Sequence, residues 1–164
     1  MELVEILKMI VNMFRESPWP GSMLSNFAET PFVIDGINCA CSESFIQSLK
    51  ISSASIQEEF CTLSGQEAWQ KGSTYTEEVF SKGNIWWLGK PYILHSEEHF
   101  SLVKRGLLCK FEQSKEAQIA LLATGNAELI HDYGQKPGKK QSLTVNIFCK
   151  IVSEIRNEFK KKNA

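Results

Sequence analysis

The chain has 164 residues, 43% of them hydrophobic and 23% charged, which suits one compact domain with a sizeable core and excludes a disordered chain. A formal net charge of −1 and a pI near 6.3 exclude general nucleic-acid affinity through phosphate neutralisation, which leaves a basic footprint. A small basic pocket for one phosphorylated ligand is compatible with this balance, because net charge does not report local charge.

Leu3, Leu7, Ile10 and Phe14 recur at helical spacing, which predicts an amphipathic helix over 2–15 docked on the body. Glu2, Glu5 and Lys8 interrupt what would be the apolar core of a signal peptide, and no apolar run is long enough for a membrane span. The expected location is therefore cytoplasmic. Ser17-Pro-Trp-Pro-Gly-Ser22 stops the helix, since two prolines and a glycine cannot continue it. The expected organisation is a helix and Pro-rich turn over 1–20, packed on a functional domain over 21–164.

Phe32–Cys39 places two short apolar runs around Asp35-Gly36, a pair that accepts the positive φ angles of a tight turn, and so predicts a hairpin. Ser42–Ile51 follows as a helix that Ser42 can cap. Ser55-x-x-Glu58 has the capping-box pattern and predicts a helix to about Leu63 that buries Ile56, Phe60 and Leu63. A short helix over Glu67–Lys71 is expected to stop at Gly72. Asn84–Gly89 reads as a short aromatic strand in which Trp86 and Trp87 face different ways.

Ser96 is expected to cap a long helix to Gln113, with Phe100, Val103, Leu107, Leu108 and Phe111 inward. Ser114 starts another, through Ile119, Leu121 and Leu122, which Gly125 ends. Ala127–Tyr133 reads as a strand, Gln135–Gln141 as a basic loop able to reach a phosphate, and Thr144–Lys161 as the last helix. The fold class is α+β: a single domain, mostly helical, with a small sheet that includes a β-hairpin.

Within Ser42–Ile51, Glu43, Gln47 and Lys50 fall at i, i+4 and i+7 on one stripe of a helix, opposite Phe45, Ile46 and Leu49. Spacing alone favours a solvated stripe, because Glu and Lys on a helix usually face water. It also allows a reaction site: two turns, roughly 10 Å of rise, leave room for a sugar between acid and amine.

Familiar alternatives are missing. There is neither a Gly-x-Gly-x-x-Gly nor a Gly-x-x-x-x-Gly-Lys phosphate loop, and no Gly-x-Ser-x-Gly. Five cysteines without a Cys-x-x-Cys pair predict free thiols in a reducing compartment. His95 and His99 lack the intervening glutamate of a zinc-protease helix, so no metal or cofactor is expected.

The order of the remaining pieces is informative. Ser25-Asn26-Phe27, Pro31-Phe32-x-x-Asp35-Gly36 and Ser42-Glu43-x-x-x-Gln47-x-x-Lys50 together resemble the opening signature of the NADAR family, also called YbiA-like. The resemblance continues through Trp86-Trp87, Leu107-Leu108-x-Lys110-Phe111, Ala123-Thr124-Gly125 with Leu129 and His131, and Leu143-Thr144 with Phe148-Cys149, covering about residues 23–158. It implies an N-glycosidase whose substrate is a ribosylated, phosphorylated small molecule, such as a ribosylamino-pyrimidine intermediate of riboflavin synthesis, or an ADP-ribosylated guanine.

By position, the resemblance implies Lys50 as the Schiff-base nucleophile at ribose C1 and Glu43 as the general acid/base. Ser25, Asn26, Phe27, Gln47 and His131 would bind substrate, with Trp86 or Trp87 as an aromatic wall. The departing nitrogen needs a proton from an acid of raised pKa, and the lysine must be neutral to attack. A direct Glu43–Lys50 ion pair would oppose both shifts, so none is expected in the empty site. The chain departs from the family pattern at His131-Asp-Tyr-Gly134 and Pro137-Gly-Lys-Lys, residues that bear on the choice of base or phosphate. A catalytically weak nucleotide or ADP-ribose binding module is the alternative.

Overall fold

The computed structural model describes residues 10–163. In chain order these form β1 (Ile10–Asn12), α1 (Gly21–Leu24), β2 (Phe32–Ile34), β3 (Ile37–Cys39) and α2 (Ser42–Ser48). Next come α3 (Ala54–Phe60), α4 (Gly65–Ser73), α5 (Thr76–Lys82), β4 (Asn84–Trp87) and β5 (Lys90–Ile93). The chain ends with α6 (Glu97–Gln113), α7 (Lys115–Ala123), β6 (Glu128–Ile130) and α8 (Val145–Lys162). The fold is α+β and mostly helical, as expected, but its strands form three separate two-stranded sheets among the described residues.

The expected helix over 2–15 is corrected at its end: Ile10–Asn12 is a strand, paired in parallel with Glu128–Ile130 of β6. Residues 2–9 of that expectation lie outside the described residues. The pairing joins segments over 100 residues apart, and Asn12 adds side-chain bonds to both backbone groups of Asp132. Long-range pairing of this kind overrides local helical periodicity.

Asp35 and Gly36 turn the β2–β3 hairpin with φ angles of 51° and 80°. A second hairpin, β4–β5, turns at Leu88-Gly89, also with positive φ at both residues. The Asp35 carboxylate then accepts from both Arg105 guanidinium nitrogens, at 2.7 and 2.9 Å, and from Trp87 Nε1 at 2.8 Å. The first hairpin is thereby tied to α6 and to β4.

Helix α2 is buried along its entire length, between α3, α4 and α6. Phe45 projects into the main core, packing edge-on against Phe32 and Trp87. Gly106 lets α6 approach this closely: a Cβ there would stand 2.1 Å from the Phe45 ring. A smaller cluster of Ile51, Phe60 and Ala68 fills the space under α3 and α4.

Ser96 caps its long helix as read, and Ser114 and Thr144 likewise accept from the backbone N–H three residues on. Others differ. Cys41, not Ser42, is the N-cap of α2, and its backbone N–H donates to Ser44 Oγ at 3.2 Å. Ser53, not Ser55, caps α3, and in this helix Ile56 is exposed while Gln57 lies inside. Gln57 uses both ends of its amide on the backbone of Ser48, Trp86 and Leu88. Helix α4 runs through Gly72 instead of stopping there, and Ile119 of α7 is exposed.

Candidate active site

The solvated reading of the Glu43 stripe fails on burial. Glu43, Gln47 and Lys50 are only 7, 8 and 7% exposed, because α4 covers α2. That approach depends on glycine: a Cβ on Gly72 would lie 2.1 Å from Gln47 Oε1, and one on Gly65 would lie 2.9 Å from the Phe27 ring. Lys50 stands just past the helix, whose C-cap is Leu49.

The three side chains border a cavity of about 310 Å³, at the small end of the range of ligand pockets. Ser25, Asn26, Phe27 and His131 line it as well, so seven of the residues singled out by the resemblance meet in one place. The Asn26 carbonyl accepts the Glu43 N–H at 2.8 Å, which seats the Ser25–Phe27 loop on the first turn of α2. Below it, the Lys110 ammonium donates to the Ser25 carbonyl at 3.1 Å.

Trp86 and Trp87 do not border the cavity, which corrects their expected role as its wall. Trp87 is buried against Phe45 with its Nε1–H committed to Asp35, and Trp86 leans on the main core. Trp69 of α4 and Tyr133 join Phe14, Phe27 and Phe148 in the aromatic lining instead, and Lys139 and Lys140 come to it from the basic loop. Sequence offered little signal for Trp69, since a helical tryptophan is more often core than rim. The basic loop was visible, and its contact with the cavity was not.

Burial pushes both ionisable groups toward their neutral forms. Burial raises the Glu43 carboxyl above the usual carboxylate range, opposed by the hydrogen bond from Gln47 Nε2, at 2.8 Å, and by the charges of Lys50 and Lys139. Burial lowers Lys50 to about 8; Glu43 pulls it up and Lys139 pushes it further down. Lys50 Nζ donates to Thr76 Oγ1 at 3.0 Å and to the Gly72 carbonyl at 3.2 Å. Among the described residues no ion pair joins Glu43 to Lys50.

Two acceptors are left open. Asn26 Oδ1 and Gln47 Oε1 are buried with no partner among the described residues, a costly arrangement unless a ligand or water completes it. His131 Nδ1 lies 2.7 Å from the Met13 carbonyl, which sets the proton on that nitrogen. Burial lowers its pKa, leaving a neutral ring with Nε2 as an acceptor.

The α+β fold thus gathers a buried acid, a buried amine and two unpartnered amide oxygens around one cavity. Residues 18–157 match the family described as bacteriophage protein GP30.3, and the chain belongs to that family. It is 31% identical over 140 residues to an uncharacterized 17.1 kDa protein from the Gp30-rIII intergenic region of Enterobacteria phage T4, a match spanning 85% of this chain and 91% of that one. Its fold is like that of the E. coli protein YbiA, solved by NMR, with a TM-score of 0.65 at 22% identity over 95% of this chain and 88% of the other. The YbiA-like fold expected from the motifs is therefore present, under a family description that differs from the NADAR name.

Proposed function

We propose that the protein is an N-glycosidase that hydrolyses the bond between C1 of a phosphorylated ribose, or of ADP-ribose, and an amine or ring nitrogen of a base. The observation that carries this reading is that Glu43 and Lys50 share one cavity without pairing, the acid raised and the amine lowered. A solvated or purely structural pair of opposite charges would bridge and shift in the opposite directions.

Each group then has a role. Lys50 Nζ, as the neutral amine, bonds to C1 while the C1–nitrogen bond breaks; the departing nitrogen keeps the electron pair and takes a proton from Glu43. The Glu43 carboxylate next removes a proton from Nζ and returns it to the ring oxygen as the ring opens, leaving an imine between C1 and Lys50. Water adds to C1, the C1–Nζ bond breaks, and free amine and sugar are released. Asn26 and Gln47 offer their open oxygens to ribose hydroxyls, and Lys139 and Lys140 suit a phosphate at the rim.

Base release from ADP-ribosylated guanosine and from ribosylamino-pyrimidine phosphates tests the proposal. The wild type is expected to turn over one of the two, and K50A and E43Q to lose at least about a hundredfold in rate. Release from neither substrate, or full activity in both variants, overturns it. The second reading, a nucleotide or ADP-ribose binding module, draws on the basic and aromatic rim. Binding without release in the same assay selects that reading.

A further inference from the structure

The reaction above leaves part of the cavity mouth unexplained. Trp69 is 39% exposed although it borders the cavity, and Tyr133 is half-buried, its hydroxyl accepting from Gln141 Nε2. Lys139 Nζ lies 5.4 Å from the Trp69 ring centroid and 5.5 Å from that of Tyr133. Its cationic neighbours are engaged elsewhere: Lys140 pairs with Glu77 at 3.0 Å, and Arg15 donates to Gln66 at 2.7 Å and lies over Phe27. Among the described residues Lys139 forms no ion pair. Its ammonium lies over two ring faces.

An indole face at the rim of a nucleoside-sized cavity is a platform on which any planar base can stack. In the empty protein a lysine on an exposed loop uses that platform. We propose that Trp69 and Tyr133 form the subsite for the planar aromatic base of the ligand, and that Lys139 is a displaceable plug that occupies it until a base stacks there. The proposal deepens, and rests on, the reading of the cavity as a nucleoside site.

Two consequences follow from the chemistry. A lysine ammonium on a flexible four-carbon stem, once off the rings, is a free point charge for a phosphate oxygen. The Lys139 charge also favours the ionised form of Glu43. Its withdrawal favours the protonated acid, the state that a departing base nitrogen requires.

The test is equilibrium titration of the full chain with guanosine, guanosine 5′-monophosphate and ribose 5-phosphate, without turnover. The Trp69 component of fluorescence is isolated by difference against W69F. Guanosine and its monophosphate are expected to quench that component, and ribose 5-phosphate to bind without quenching it. W69A should weaken both guanine ligands about tenfold or more while leaving ribose 5-phosphate within about twofold.

K139M separates a plug from a simple phosphate contact. A plug predicts guanosine binding about three- to tenfold tighter in K139M, the gain that removal of two cation–π contacts allows, and weaker binding of ribose 5-phosphate. Equal effects of W69A on all three ligands, absence of quenching, or failure of guanosine to bind overturns the base subsite. Guanosine binding that is unchanged or weaker in K139M overturns the plug. Stacking with these signatures in a protein that releases no base would leave this inference standing and remove the glycosidase reading alone.

Discussion

Lys50 and Lys110 are the two buried lysines among the described residues, and desolvation lowers both to about 8. Their surroundings differ. Lys110 is fully buried against Phe111, with a hydrogen bond to the Ser25 carbonyl and no border on the cavity. Lys50 borders the cavity, and Glu43 borders the same cavity and acts on its charge. A lowered amine pKa is thus the signature of burial, and an amine becomes a reagent only where carbon can approach it and an acid is within reach.

The sharpest consequence is in turnover. K50M should lose at least about a hundredfold in base release, because the proposed nucleophile is gone. K110M should keep measurable turnover, with the loss in KM, since it acts through the Ser25–Phe27 loop. A K110M enzyme as inactive as K50M would erase the distinction.

Two glycines extend the comparison. At Gly72 and at Gly106 alike, an added Cβ would meet a side-chain atom at 2.1 Å: Gln47 Oε1 in the first case, the Phe45 ring in the second. G72A displaces a cavity amide and should lower kcat/KM about ten- to a hundredfold. G106A overpacks the core and should cost about 1–3 kcal/mol of stability, read as a lower denaturant midpoint. Reversal of the two outcomes would show that Gln47 is only packing.

Stability against pH reports the burial that the two lysines share. Holding Lys110 at about 8 instead of 10.5 costs about 3 kcal/mol while both folded and unfolded chains are protonated. The penalty is complete below pH 8 and fades as pH rises toward 10.5, so wild-type stability should climb through that window. K110M should gain about 1–3 kcal/mol at pH 7 after the lost hydrogen bond is counted, with the gain shrinking above pH 8. Denaturant unfolding at pH 7 and pH 9.5 checks both signs.

The smallest effect is on the pH profile of kcat/KM. The competent state has a proton on Glu43 and none on Lys50, so the profile should be a bell. At low pH both groups hold protons, and at high pH both have lost them. In E43Q the residual rate should lose the alkaline fall and rise through the lysine pKa. That rise should sit below pH 8, because the carboxylate that raises the Lys50 pKa is gone.

Much of the fold can be read locally. Ser96 and Thr144 cap helices whose apolar period is regular, and Asp35-Gly36 demands a tight hairpin, so these elements follow from short-range chemistry. Strand β1 cannot be read this way, because Ile10–Asn12 is chosen by a partner at Glu128–Ile130. Cys41 took the cap from Ser42 because Ser44 can reach back to its N–H, a contact that sequence patterns do not weight.

The site was legible in its polar members and not in its aromatic ones. Glu43, Gln47 and Lys50 share a stripe by spacing, but their burial depends on α4 and the close approach at Gly72, which period alone cannot place. Trp86-Trp87 is conspicuous in sequence, yet Asp35 and Phe45 claim Trp87 for the interior. Trp69, with no neighbour to mark it, reaches the rim.

The most direct measurement is borohydride trapping during turnover, followed by peptide mapping. A reduced ribose adduct on the peptide carrying Lys50, and none on the one carrying Lys110, is the expected result. Turnover without an adduct, or an adduct placed elsewhere, would contradict Lys50 as the group that bonds to carbon.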